Sequence, residues 1–153
     1  MKKILIPTLV LFLMCLCASC GHKQENQAVQ KEIVEVPSAQ DSADIRQLTV
    51  DYLEALKAKE YDQAVGMLHK VRHDSIFDLP QEDAQKLLSQ SKLFPVLRYH
   101  IDDMKFDGLK DCEVYYTIQF FEKEADDPAS NSMSFGLRPR KIGDEWYLTV
   151  LTR

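Results

Sequence analysis

His69 and His73 stand four positions apart with Asp74 directly behind the second. At the end of a helix that spacing can bring two imidazoles to one metal ion. A His beside an Asp can instead move a proton as an acid–base pair. Neither set is complete: no HExxH surrounds the pair, and a third ligand would have to come from elsewhere. His69 and His73 therefore stand as weak metal-ligand candidates, and His73 and Asp74 as weak catalytic candidates. The plainer reading is solvated or capping histidines, and the sequence calls for no cofactor. Arg138, Arg140 and Lys141 form a small basic cluster. It reads either as protection of a strand edge or as a contact for an anion or lipid headgroup. No G-x-S-x-G elbow and no Walker loop is present.

These groups must be positioned by elements, and periodicity supplies them. Asp41 and Ser42 can cap a helix whose apolar face is Ile45, Leu48, Tyr52, Ala55 and Leu56. Lys57 to Glu60 make a polar break. Tyr61, Ala64, Val65 and Leu68 follow the i, i+3, i+4, i+7 pattern of a second short helix. Pro80, with Glu82 and Asp83 behind it, suits a third helix start, and Ala84, Leu87 and Leu88 make its stripe. After Pro95 the period becomes two. Tyr99 and Ile101 alternate with charged neighbours, and the parity slips near Asp102-Asp103, as a bulge would make it. Val114, Tyr116, Ile118 and Phe120 mark a second strand; Met133, Phe135 and Leu137 a third; Trp146, Leu148 and Val150 a fourth after the Gly143-Asp144 turn. Pro139 belongs at an edge, bulge or strand end. The expected fold class is α+β: N-terminal helices packed on a four-stranded antiparallel sheet.

On the inward face so defined there is no Asp, Glu, His or Lys. Its polar members are Tyr99 and Tyr116, which titrate near 10. That argues against catalysis and for an apolar ligand space lined by Tyr52, Tyr99, Tyr116, Phe120, Phe135 and Trp146. The opposite face carries Tyr115, Phe121 and Tyr147, large residues on a surface expected to be wet, which suggests an interface such as a homodimer.

The first twenty residues have another character. Lys2 and Lys3 precede an apolar run from Ile4 to Ala18, shorter than the roughly 20 residues of a spanning helix and suited to a signal peptide. The run closes Leu16-Cys17-Ala18-Ser19-Cys20, which resembles the lipobox of bacterial lipoprotein precursors, with Cys17 where Leu is usual. The resemblance implies cleavage before Cys20, acylation of that residue and a membrane anchor. Two acyl chains already give stable anchoring. Gly21 in place of Asp favours the outer membrane. The resulting division is a signal peptide over 1–19, the lipidated Cys20 and a flexible tether over 20–43, and one domain over 44–153. Cleavage removes Lys2 and Lys3 and takes the formal charge from −5 to −7, so general nucleic-acid binding is disfavoured. Cys15 and Cys17 leave with the leader, so Cys112 has no partner for an intrachain disulfide.

Leu56-Lys57-Ala58-Lys59-Glu60-Tyr61-Asp62-Gln63-Ala64 between helices, followed by strands ending Gly143-Asp144-Glu145-Trp146-Tyr147-Leu148, is similar to the nuclear transport factor 2-like superfamily. The resemblance implies a cone, with a curved sheet wrapped around the helices and a pocket inside. Enzymes of that superfamily use an Asp or His-Asp pair in the cone. The resulting expectation is a membrane-anchored, non-catalytic module for a small apolar or aromatic ligand or a protein partner. The alternatives are an isomerase, cyclase or dehydratase, and a structural envelope lipoprotein acting through its outer sheet face.

Overall fold

The computed structural model describes residues 36–124 and 128–151. Cys20 and the other residues before Val36 lie outside them. The described chain runs α1 (Ala39–Lys57), α2 (Tyr61–Gly66), β1 (Leu68–Arg72), β2 (Ser75–Asp78), α3 (Gln81–Leu93), β3 (Arg98–Phe106), β4 (Cys112–Gln119), β5 (Ser132–Leu137), β6 (Arg140–Ile142) and β7 (Glu145–Thr149).

Helix α1 begins earlier than its apolar period suggests. Ser38 is the N-cap, and Asp41 closes a capping box: the Asp41 N–H donates to Ser38 Oγ at 3.0 Å, and the Ser38 N–H donates to Asp41 Oδ2 at 2.9 Å. The helix ends where the polar break was read. Glu60 N donates to the Ala55 carbonyl and Lys59 N to that of Leu56, the paired bonds of a Schellman ending. Lys59 occupies the left-handed position of that motif at φ 64°. Ile45, Leu53, Val114 and Leu148 are fully buried and tie α1 to the strands.

Strand β4 alternates as its sequence does: Cys112, Val114, Tyr116 and Ile118 are buried, and the residues between them are half-buried. It pairs antiparallel with β3 and β5, and the β3 register shifts between Ile101 and Asp103 at the expected bulge. The other sheet has the order β2-β1-β7-β6. It is mixed, because β1 runs parallel to β7 with Leu68 opposite Leu148.

The expected cone, one curved four-stranded antiparallel sheet, is thereby overturned. Among the described residues, seven strands form a mixed four-stranded sheet and a separate antiparallel sheet of three. Two causes are visible. Pro139 has no N–H to continue a ladder, and at that point the expected third strand divides into β5 and β6, which belong to different sheets. Single bridges, Leu137 with Val150 and Asp111 with Arg140, are what join them. The second cause is the β1–β2 hairpin, which adds the parallel pair. Leu68, expected to finish a helix, instead opens β1. Among the described residues no helix is long and apolar enough to cross a membrane.

Candidate functional site

The hairpin relocates the histidines. His69 lies within β1, while His73 and Asp74 form the two-residue turn to β2 with φ of 47° and 56°. Those positive angles are the type I′ pattern favoured in tight hairpins. An extended chain separates residues four apart by about 13 Å, so β1 does not juxtapose the imidazoles as a helical end would. Both His73 and Asp74 are exposed. Among the described residues no three His, Cys, Asp or Glu side chains converge as a metal site.

What the fold does assemble is a cavity of about 240 Å³ between helices and strands. Tyr52 reaches it from α1, Leu87 from α3, Phe94 from the end of α3, Tyr116 from β4, Phe135 from β5 and Leu151 from beyond β7. Each is placed by its element's period: Tyr52 faces inward with Ile45 and Leu56, and Tyr116 belongs to the buried parity of β4. The Tyr52 and Tyr116 rings meet edge to face, centroids 6.5 Å apart, and Phe135 stacks on Tyr116 at 5.9 Å. These two phenols are the titratable groups on the lining. Burial, above all, raises the pKa of both; at Tyr116 the charge of Tyr52 adds to it. Both stay neutral near pH 7.

Other aromatic residues singled out from the sequence are placed around this space or away from it. Phe120 packs on Phe94, centroids 5.3 Å apart. The Tyr99 hydroxyl donates to Glu54 Oε1 at 2.6 Å, and burial followed by that carboxylate pushes its pKa up to about 12. Trp146 is buried against the start of α1: its Nε1 donates to Asp41 Oδ1 at 2.9 Å. Lys141 Nζ donates to the same oxygen at 2.7 Å. With Ser38 on Oδ2, these donors hold the Asp41 carboxyl far below the usual carboxylate range, Lys141 contributing most. Cys112 is buried in the core, and burial followed by Asp111 pushes its thiol up to about 11, which leaves it unreactive at neutral pH.

Of the residues expected together on one outer face, Tyr115 lies on β4 and Tyr147 on β7, in different sheets; the Tyr115 hydroxyl donates to Glu113 and the Tyr147 hydroxyl to Glu145, each two residues along its own strand. Phe121 is exposed. Met133, read as inward, is exposed as well.

A second, larger space of about 470 Å³ lies between β1, α3 and the β5–β7 region. Leu87, Gln90 and Val150 line both spaces, so the two are neighbours there. Its walls carry Lys70, Lys86, Arg138 and Arg140, with Asp83 and His69. Arg138 grips Asp111 with two bonds of 2.9 and 2.8 Å, and Arg140 Nη1 lies 3.0 Å from the same carboxylate. Of the basic triad read from the sequence, Arg138 and Arg140 thus share this groove, while Lys141 turns to Asp41. The contribution of α3 to both spaces was carried in the sequence only by its Ala84, Leu87, Leu88 stripe. Lys70 and Lys86 gave no sequence signal, since only the hairpin and α3 folding against each other bring them together.

No family model matches the chain, and no curated protein matches its sequence. Among solved structures, it is similar to a protein of unknown function with a cystatin-like fold from Nostoc punctiforme PCC 73102. That likeness has 16% identity and a TM-score of 0.50, covering 74% of this chain and 90% of the other. A nuclear transport factor 2-like protein of unknown function from Shewanella oneidensis MR-1 aligns at 21% identity with a TM-score of 0.44, covering 71% and 94%. The first of these likenesses is one of fold alone, to a protein with a cystatin-like fold.

Proposed function

We propose that this chain is a membrane-anchored, non-catalytic module that binds a small apolar or aromatic ligand in the cavity between α3 and the strands. The observation that supports this reading is the lining. Aromatic and aliphatic groups converge there with two buried phenols and the polar side chains of Gln90 and Ser91, the mix of apolar lining and a few polar groups expected of a small-molecule site. An isomerase, cyclase or dehydratase needs a group that exchanges a proton near neutrality, and Tyr52 and Tyr116 are shifted the wrong way for that. The anchor belongs to the same proposal and rests on the lipobox-like sequence at Cys20. Placement in the outer membrane rests on Gly21. A second copy of the chain, docked through the exposed side chain of Phe121 and the outward side of β4 at Tyr115, with Tyr147 on the neighbouring sheet, completes it.

Octanol titrated into the full-length chain by calorimetry tests the site. Ser91 lines the cavity from α3, so Ser91→Trp fills it. Saturable binding that weakens at least about tenfold in Ser91→Trp, with far-ultraviolet dichroism unchanged, is the expected result. No binding, or equal binding by both, refutes the reading. Palmitate labelling that persists in Cys20→Ser would refute the anchor, and a monomer by light scattering at high micromolar concentration would refute the dimer.

A further inference from the structure

We propose that the ligand is an amphiphile whose apolar body occupies the cavity and whose anionic head, a carboxylate or phosphate, sits in the adjoining cationic groove. This rests on the reading of the apolar cavity as a ligand site and adds the chemistry of the ligand's polar end. The first argument is charge. The chain as a whole is acidic, at −5, yet Lys70, Lys86, Arg138 and Arg140 line one groove. Asp83 lies 3.8 Å from Lys70, and the single Asp111 carboxylate serves both arginines. Counting those two acids and Asp78, which lies 3.9 Å from His69, the groove keeps a formal excess of one positive charge. Clustered like charges repel one another, so an excess of this kind is relieved by an anion.

The second argument is hydrogen-bond accounting. Among the described residues, two buried side-chain nitrogens have no hydrogen-bond partner: His69 Nδ1 and Arg140 Nε. Both residues line this groove. His69 Nδ1 is 3.9 Å from Asp78 Oδ1, beyond hydrogen-bond reach. Arg140 Nε is always a donor, a buried donor left unmatched is costly, and an oxyanion drawn into the groove supplies an acceptor for it. The third argument is placement. The groove adjoins the apolar cavity across Leu87, Gln90 and Val150, so the inferred ligand lays its chain in one space and its charge in the other across those side chains.

The test compares octanoate and octyl phosphate with octanol, which has the same chain without the charge, and with inorganic phosphate, which has charge without a chain. All are titrated calorimetrically into the full-length chain at low salt. Desolvation of the head works against the charged ligands unless cations meet it, so tighter binding of the anion is diagnostic. The inference predicts that octanoate or octyl phosphate binds at least about tenfold more tightly than octanol, the preferred head being the one of higher affinity. It also predicts that Lys70→Gln with Lys86→Gln removes most of that advantage while octanol binding is unchanged. Both lysines are on the surface, and dichroism verifies that the variant folds. Octanol binding equal to that of both anions overturns the inference and leaves the cavity reading intact. Failure of octanol and both amphiphiles to bind overturns both, as does binding of inorganic phosphate alone.

Discussion

Trp146→Phe isolates the contact that fastens α1 to the β6–β7 hairpin. Trp146 is 6% exposed and donates a 2.9 Å hydrogen bond to Asp41, 105 residues away in sequence. A hydrogen bond to a charged acceptor contributes about 1.5–3 kcal/mol. Phe also lacks two of the indole carbons, a loss of about 1.6 kcal/mol if the space does not collapse, at about 0.8 kcal/mol per buried carbon. Asp41 keeps Lys141 and Ser38 as donors, so the substitution strands no charge and these two losses make up the cost. The expected destabilisation is about 3 kcal/mol or more, a large part of a domain's usual stability. With a urea m-value on the order of 1.5 kcal/mol/M, the midpoint falls by about 2 M. Trp146 is the one tryptophan of the chain, so unfolding of the variant is followed by far-ultraviolet dichroism. The same measurement on Asp41→Asn and on the double variant closes a cycle, in which the double variant costs less than the sum of the singles. A midpoint within about 0.3 M of wild type at unchanged slope, or strict additivity in the cycle, refutes this account of the contact.

Lys59→Gly relieves a left-handed residue at the end of α1 and is expected to raise stability by about 0.5–1 kcal/mol in urea unfolding; a loss of stability contradicts the Schellman assignment. Val114→Ala opens the fully buried centre of β4 and is expected to cost about 2 kcal/mol, measured the same way. Asp41 has a depressed folded pKa, so its contribution is complete above the unfolded value of 3.8 and fades as pH falls below it. Asp41→Asn should flatten the acid limb of a stability–pH curve, and an unchanged limb denies that the carboxylate titrates there. Tyr52 and Tyr116 have raised folded pKa values, so their contribution is complete below the unfolded value of 10 and declines above it. Absorbance at 295 nm should show both ionising only as the chain unfolds in alkali, whereas ionisation at pH 10 in the folded state would contradict their burial.

Local pattern carried much of this structure. The two-residue period of β4, the bulge beside Asp102, the polar break after α1 and the Gly143-Asp144 turn were all legible, because each is decided by neighbours in the chain. What escaped was decided at a distance. Leu68 satisfies a helical period, and its strand identity comes from its parallel pairing with Leu148, eighty residues on. The His73-Asp74 turn lacks the Asn-Gly signal that announces a type I′ hairpin, so the two histidines were read on the wrong kind of element. Pro139 was recognised as a strand breaker, but that it divides one strand between two sheets depends on what pairs on either side. Trp146 has the parity of a core residue, while its hydrogen bond depends on Asp41 at the far end of the domain. Tyr52, Tyr116 and Phe135 were legible as lining because they lie on well-patterned elements. The groove was not, since Lys70, Lys86 and the arginines come from three separate stretches of chain.

The most direct test is a carbon–hydrogen correlation spectrum of the isotopically labelled full-length chain, recorded while octanol is added. Saturable shifts centred on Tyr52, Leu87, Phe94, Tyr116, Phe135 and Leu151, with Tyr115 and Tyr147 undisturbed, are the predicted result. Shifts centred on Tyr115 and Tyr147, or none that saturate, would contradict a ligand site between α3 and the strands.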